Sequence, residues 1–310
     1  MLIFRGIPAS DTPIALTIGN FDGVHLGHQA MLQRMEEAAR KRGLPACVMT
    51  FEPHPREFFT PDQAPTRLTN LREKLELFAE YGVERVYICR FNRQFASIGA
   101  DDFASDILPR RLQAKWVLIG DDLRFGAKRA GDFALLRETG TRLGFEVEAM
   151  HSVMVGDLRV SSTAVRESLA SGDLRLASRL LGRPYSISGR VEHGESLGHK
   201  IGFPTANIQL KHNRPPLWGI FAVEVEGLGD KPLQGAASLG VRPTVMNNGL
   251  PTLEVHLFNF DRQIYNQHVR VDFLHKLRDE MKFPDLETLT RQIAQDVTDA
   301  KNYFAGAIHG

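Results

Sequence analysis

His25 and His28 stand three residues apart, with Gly27 between them, where the apolar run IALTIG (14–19) passes through GNFDGVHLGH into a helical pattern. Two imidazoles in that place can donate hydrogen bonds to phosphate oxygens as charge builds during displacement at phosphorus. That is electrostatic transition-state stabilisation, and it needs no covalent intermediate. A helix start beyond the carboxyl end of a strand adds unpaired N–H groups and positive potential, both suited to an anion. Gly19, Gly23 and Gly27 let backbone approach a phosphate closely, and Gly27 leaves space for a nucleotide against the helix. The pair has the character of a nucleotide-transfer device.

Such a pair needs a rigid frame, and the first half of the chain supplies the pattern for one. After IALTIG, the residues Met31, Leu32, Met35, Ala38 and Ala39 recur on one side of a helix that Gly43 ends. ACVMTF (46–51) precedes a helix over Leu71–Tyr81, opened by Asn70 with Glu73 three residues on and closed by Gly82. VERVYIC, a helix around 101–112, KWVLIG, a helix near 133–143 and FEVEAMH continue the alternation. That rhythm predicts βαβ units around a parallel sheet. Two helical pieces, SSTAVRESLASG and DLRLASRLLG, follow, and the texture changes at Gly182-Arg183-Pro184. From there short alternating segments broken by Gly, Pro and Asn predict a small antiparallel barrel, closed by one helix carrying Leu286, Leu289, Ile293, Val297, Ala300 and Phe304. The expected domains are therefore 1–182 and 183–310.

Bulk properties narrow the partners. The 310 residues are 43% hydrophobic and 24% charged, enough for two ordinary cores. Lys and Arg number 38 against 37 Asp and Glu, so the chain lacks the basic field that sequence-independent nucleic-acid binding requires. No apolar run approaches a membrane span, and MLIFRGIPAS lacks a leader pattern. The two cysteines, Cys47 and Cys89, sit in apolar stretches and fit a reducing cytoplasm. Small molecules are the expected partners; oligomeric state is not legible.

HxGH after a first strand resembles the signature of the nucleotidylyltransferase superfamily. Its second half is similar to VSSTAVRESL (160–169), where the resemblance puts Ser162, Thr163 and Arg166 toward β and γ phosphates, with Gly19, Asn20, Phe21, Gly23 and Gly27 around the nucleotide. FEPHPREFF (51–59), RLTNLREKLELF (67–78) and GDDLRFGAKRAGD (120–132) resemble the adenylyltransferase domain of bacterial bifunctional riboflavin kinase/FAD synthetases, whose second activity is that of an FMN adenylyltransferase. The resemblance places Pro53, His54, Pro55, Asp122 and Phe125 toward flavin, and Phe125 has a ring able to stack on isoalloxazine. On residue type alone Phe125 reads equally well as core. Leu123 replaces the family's usual aromatic.

The second half carries GRVEHGESLGHKIGFPTANIQL (189–210), and no GxxxxGK[ST] loop occurs. GFPTAN is similar to the riboflavin kinase motif, which implies that Thr205 and Asn207 hold Mg²⁺, an ion satisfied by a few hard oxygens plus phosphates, with Gly202 beside the nucleotide. TLEVHLFNF (252–260) resembles the family's E-V-H-L segment, so Glu254 falls on the carboxylate that receives or orients the ribityl hydroxyl proton. Alternation puts Glu254 and His256 on one strand face; His256 reads as structural. SLGVRPTV (238–245) and LRDEMKF (277–283) match downstream segments, with Arg278 and Glu280 read as a solvated ion pair. His199-Lys200 and Tyr265-Asn266 depart from the usual Gly-Arg and Tyr-Gly, and Asn tolerates the positive φ of such a turn.

The resemblance covers nearly the whole chain. It implies a parallel nucleotidylyltransferase sheet followed by a riboflavin kinase barrel with a terminal helix. It implies two reactions, riboflavin to FMN and FMN to FAD, with ATP as co-substrate, Mg²⁺ as cofactor and flavins as substrates and products. A nucleotidylyltransferase of other specificity would share HxGH but leave GFPTAN and TLEVHLF without a purpose. An aminoacyl-tRNA synthetase would need a tRNA-binding module. A silent flavin or nucleotide sensor stays open, since residues alone do not establish turnover.

Overall fold

The computed structural model describes residues 1–193, 202–210, 214–241 and 251–306. It divides into two compact units, Met1–Pro65 with Leu71–Val160, and Thr66–Asn70 with the chain from Ser161 onward. His199-Lys200 and residues 242–245 of SLGVRPTV lie outside the described residues.

The first unit is built on β1 (Leu2–Arg5), β2 (Ile14–Ile18), β3 (Ala46–Glu52), β4 (Arg85–Arg90), β5 (Ala114–Gly120) and β6 (Glu146–Met150). They form one sheet in the order β1-β4-β3-β2-β5-β6, every neighbouring pair parallel. On β2, Ile14, Leu16 and Ile18 join one apolar cluster and Ala15 joins the other, as successive strand residues must when both faces are covered. The chain leaves β2 toward β3 on one side and later returns to β5 on the other. The segment after β2 therefore opens at the switch point of the sheet, where α/β folds bind ligands.

Three helices bear on the site: α1 (Leu26–Arg42), α2 (Pro55–Phe59) and α3 (Leu71–Glu80). α1 buries Leu32, Met35, Ala38 and Ala39 and ends at Gly43 with φ 64°, with Arg40, Lys41 and Arg42 in its last turn, where cations suit the helix dipole. Its outer half is fastened by Arg34, which donates to both Glu148 carboxylate oxygens at 2.7 Å. Short helices α4 (Arg93–Ala96) and α5 (Ala100–Asp102) follow, and the coil expected near 101–112 continues from α5 as a π-helical stretch, Phe103–Arg111. Pro109 lies inside it, and a proline cannot donate the i−4 bond of an α-helix. α6 (Phe133–Leu143) precedes β6, and a small hairpin of β7 (Met154–Val155) and β8 (Leu158–Arg159) ends the unit. β1 is an addition to the elements read from sequence. It is a four-residue edge strand with Leu2 and Ile3 exposed, so it carries no burial pattern to read.

The second unit contains α7 (Ser162–Ser171), α8 (Leu174–Leu181) and six strands: β9 (Tyr185–Glu192), β10 (Ala206–Ile208), β11 (Gly219–Glu226), β12 (Leu233–Val241), β13 (Pro251–Leu257) and β14 (His268–Arg278). The strands close an antiparallel barrel in the order β10-β13-β12-β11-β14-β9. The terminal helix α9 (Leu286–Phe304) sets Val297 and Ala300 against Ala222, Ala236 and Phe258. α8 lies against β9 and β14 and buries Leu174, Ala177, Leu180 and Leu181. Packing thus groups both helices before Gly182 with the barrel.

Two smaller expectations meet the structure directly. Asn266 has φ 65° and its N–H donates to Val191 O at 2.8 Å, so asparagine does occupy a left-handed turn there. Arg278 donates to both Asp296 carboxylate oxygens of α9, at 2.7 and 2.6 Å, while its charge also acts on Glu280. Glu280 lies over Gly240, where any β-carbon would overlap its carboxylate.

Candidate functional site

The segment from Gly19 to His25 turns the chain from β2 into α1 with three residues at positive φ: Phe21 at 51°, Gly23 at 83° and Val24 at 41°. Positive φ at a bulky or β-branched residue is uncommon and clusters at functional turns. Phe21 is fully buried, T-shaped against Phe78 at 5.3 Å and tilted against His28 at 5.0 Å. It backs the histidine and has no exposed face of its own. Gly19 is glycine because a β-carbon would stand 3.1 Å from the Phe21 ring.

His25 caps α1 in extended conformation, its Nδ1 accepting the His28 N–H at 3.4 Å. That assigns Nδ1 as acceptor and leaves Nε2 to carry the proton. The two rings stack with centroids 3.7 Å apart and 16° between planes. Gly27 lies close against His25: a β-carbon there would stand 3.2 Å from the His25 ring. Burial first, then the neighbouring His25 and then Lys74, hold the pKa of His28 well below that of an ordinary histidine. His28 is therefore a neutral imidazole near pH 7.

Asn20 offers its main-chain oxygen to two donors, Lys74 Nζ at 2.8 Å and Thr50 Oγ1 at 3.3 Å. Among the described residues, Asn20 Oδ1 and His28 Nδ1 are buried side-chain atoms with no hydrogen-bond partner. Such atoms mark a place that a ligand or water completes.

The proposed flavin residues separate into three settings. Pro53, His54 and Pro55 form the start of α2, with His54 Nδ1 accepting Arg56 N–H and Glu57 reaching back to His54 N–H, a capping box. Asp122 is held by Arg159 at 2.7 Å. Phe125 is buried against Phe103 at 5.5 Å and pairs in a bridge with Gly131, so its ring belongs to the core and is not open to stacking. An exposed aromatic surface in this unit lies on α2: Phe58 and Phe59 are 37% and 62% exposed and stand edge-on to Phe91 at 5.7 and 5.6 Å. Their signal was present in FEPHPREFF, where two adjacent phenylalanines follow the prolines. Lys74 was also missed, since LREKLELF reads as an ordinary helix with charged residues outward.

In the second unit, α7 starts at Ser161, whose Oγ accepts Ala164 N–H, and bears Ser162, Thr163 and Arg166. Arg166 Nε donates to Thr66 O at 2.6 Å within the same unit. Gly202 has φ 86°, and among the described residues no atom lies within 4 Å of where its β-carbon would stand. In the barrel, Asn207 is the cross-strand partner of Glu254 in the β10–β13 pair, and Thr205 Oγ1 donates to Glu254 Oε2 at 3.4 Å. Three oxygen-bearing side chains from segments far apart in sequence thus converge at one barrel edge. His256 turns to Pro204, its Nδ1 2.9 Å from that carbonyl, which makes it a structural support.

Residues 7–164 match the FAD synthetase family and residues 181–304 the riboflavin kinase family. The bifunctional riboflavin kinase/FMN adenylyltransferase of Escherichia coli (strain K12) is 49% identical over 308 residues, covering 98% of each chain. That of Haemophilus influenzae is 46% identical, covering 98% of this chain and 99% of the relative. A Streptococcus pneumoniae crystal structure described as a macrolide-efflux protein superposes with TM-score 0.82 at 29% identity, covering 97% of this chain and 99% of its own. Among the described residues no helix is long and apolar enough to cross a membrane. The chain belongs to the bifunctional riboflavin kinase/FMN adenylyltransferase family.

Proposed function

We propose that this chain makes FAD from riboflavin in two steps: riboflavin and ATP give FMN and ADP, and FMN and ATP give FAD and pyrophosphate. The observation that carries the reading is that both reactive sets are complete. His25 and His28 stack at the start of α1, and Thr205, Asn207 and Glu254 meet across β10 and β13. We assign adenylylation to residues 1–182 and phosphorylation to 183–310.

For adenylylation, an FMN phosphate oxygen attacks the α-phosphorus of ATP and the bond to the β-phosphate oxygen breaks, releasing pyrophosphate. His28 and His25 donate N–H bonds to oxygens that gain charge in that transition state. A neutral donor at His28 suits the task, since it binds the growing charge without holding the ground-state triphosphate equally tightly. Gly19, Asn20, Phe21, Gly23 and Gly27 shape the nucleotide cradle; Ser162, Thr163 and Arg166 are assigned to the outgoing phosphates. Pro53, His54, Pro55 and Asp122 are assigned to the flavin side. Exposed Phe58 and Phe59 extend that side with a surface for a planar ring, in place of the buried Phe125.

For phosphorylation, Glu254 accepts the proton of the ribityl 5′-hydroxyl as that oxygen takes the γ-phosphoryl group of ATP. Thr205 and Asn207 supply neutral hard oxygens beside that carboxylate, and the donor set suits Mg²⁺. When bound, Mg²⁺ supplies charge neutralisation across the phosphates. Gly202 is assigned to the nucleotide side, with no described atom within 4 Å of where a β-carbon would stand. Two free buried thiols, raised by desolvation to pKa values of about 12, support a reducing cytoplasmic setting.

Incubation with riboflavin, ATP and Mg²⁺, followed by chromatographic separation of flavins, tests the whole reading. FMN followed by FAD is expected. FMN alone leaves only the kinase, and neither product overturns the assignment.

A further inference from the structure

Lys74 lies on α3 with only 5% of its surface exposed. A buried ammonium is costly unless groups around it compensate. One compensating contact comes from the loop itself: the ammonium donates to Asn20 O at 2.8 Å. That carbonyl already accepts from Thr50 Oγ1, so satisfying the backbone does not by itself require a charge. Two observations at the same loop point to a ligand. Asn20 Oδ1 and His28 Nδ1 are buried without hydrogen-bond partners among the described residues. The loop also keeps Phe21 and Val24 at positive φ, a cost accepted where a particular presentation of groups matters.

We infer that Lys74 is a positioning residue for adenylyl transfer: by tethering the Asn20 main-chain oxygen it sets the Gly19–Val24 loop so that Asn20, through its acceptor Oδ1, and His28 present their side chains to the nucleotide. The inference rests on the assignment of FMN adenylylation to this loop. The tether acts on the backbone of the residue whose side chain must meet the ligand, so a small displacement there moves the Asn20 amide directly. The same charge disfavours protonation of His28, which keeps the imidazole a neutral donor, and its field favours an anion at the loop. Only a hydrogen-bonding cation does all three.

The test uses the full chain and four proteins, the parent and Lys74→Met, Lys74→Gln and Lys74→Arg, with both reactions followed in each. Lys74→Met is expected to lower kcat for FAD formation from FMN by about ten- to a hundredfold, the range for an ångström-scale misplacement. KM for FMN and the rate of FMN formation from riboflavin are expected to stay within about twofold. Lys74→Gln keeps an N–H donor and Lys74→Arg keeps donor and charge, so losses should shrink in that order. Combining Lys74→Met with Asn20→Ala should cost less than the product of the two separate losses, because one residue acts through the other. A purely structural lysine would lower the melting temperature without that non-additivity. If Lys74→Met does not fold, Lys74→Gln takes its place in the comparison, and parental kcat in any folded Met or Gln variant overturns the inference. A parent that makes FMN but no FAD ends the adenylylation reading and this inference together. A parent that makes FAD beside a fully active Lys74→Met overturns the inference alone.

Discussion

The His25 ring lies flat on the His28 ring, centroids 3.7 Å apart, while its Nδ1 accepts the His28 main-chain N–H. One residue thus caps the helix and orients its neighbour's ring. Gly27 between them is the condition for the stack, since any side chain there enters the His25 ring.

Gly27→Ala separates stability from chemistry. Alanine favours a helix over glycine by up to about 1 kcal/mol, yet its β-carbon would stand 3.2 Å from His25 and push the ring by tenths of an ångström. FAD formation should fall about tenfold, with an unchanged or raised melting temperature and normal FMN formation.

His28→Asn keeps an N–H but withdraws it from the reach of the imidazole, and should lower FAD formation by about 10²-fold or more. It also changes the pH dependence of stability. The unfolded chain takes up a proton on His28 near pH 6.5, with about that value for a free imidazole, while the folded state resists it down to well below that pH. The parent therefore loses stability as pH drops through about 6.5, and the loss levels off only below the folded pKa, with none regained. His275, lowered by burial, contributes in the same direction in both proteins. Urea unfolding at pH 7.5 and 5.5 should show a larger fall for the parent than for His28→Asn.

Glu254→Gln keeps the size of the side chain and an acceptor for Thr205 but abolishes the base. FMN formation should fall by roughly 10²- to 10⁴-fold, and FAD formation from supplied FMN should persist. Unchanged FMN formation by the folded variant would show that another group takes the proton.

Residues 161–310 should melt at a higher temperature than residues 184–310. α8 buries Leu174, Ala177, Leu180 and Leu181 and lies against β9 and β14, and removing it exposes the apolar face it covers. Burial of one such side chain is worth about 1.5–3 kcal/mol. Equal melting temperatures by circular dichroism would show that the helix adds nothing to the barrel.

The histidine pair, the alternation of the first half and the barrel texture of the second were legible because each is local: a spacing, a period, a cap or a turn residue. GFPTAN and TLEVHLF could be recognised one at a time, but that Thr205 touches Glu254 follows only from closure of the barrel, which pairs β10 with β13. Burial was decided the same way. Phe125 and Phe59 are both phenylalanines in motif segments, yet packing on Phe103 and Gly131 takes the first into the core while α2 leaves the second in solvent. Lys74 lies in a segment with the charge pattern of a surface helix, and it is buried because α3 packs its first turns beside the loop after β2. Residue type and period determine which elements form. Which side chains meet, and which of them a ligand can still reach, depends on contacts between segments whose separation in sequence carries no record of them.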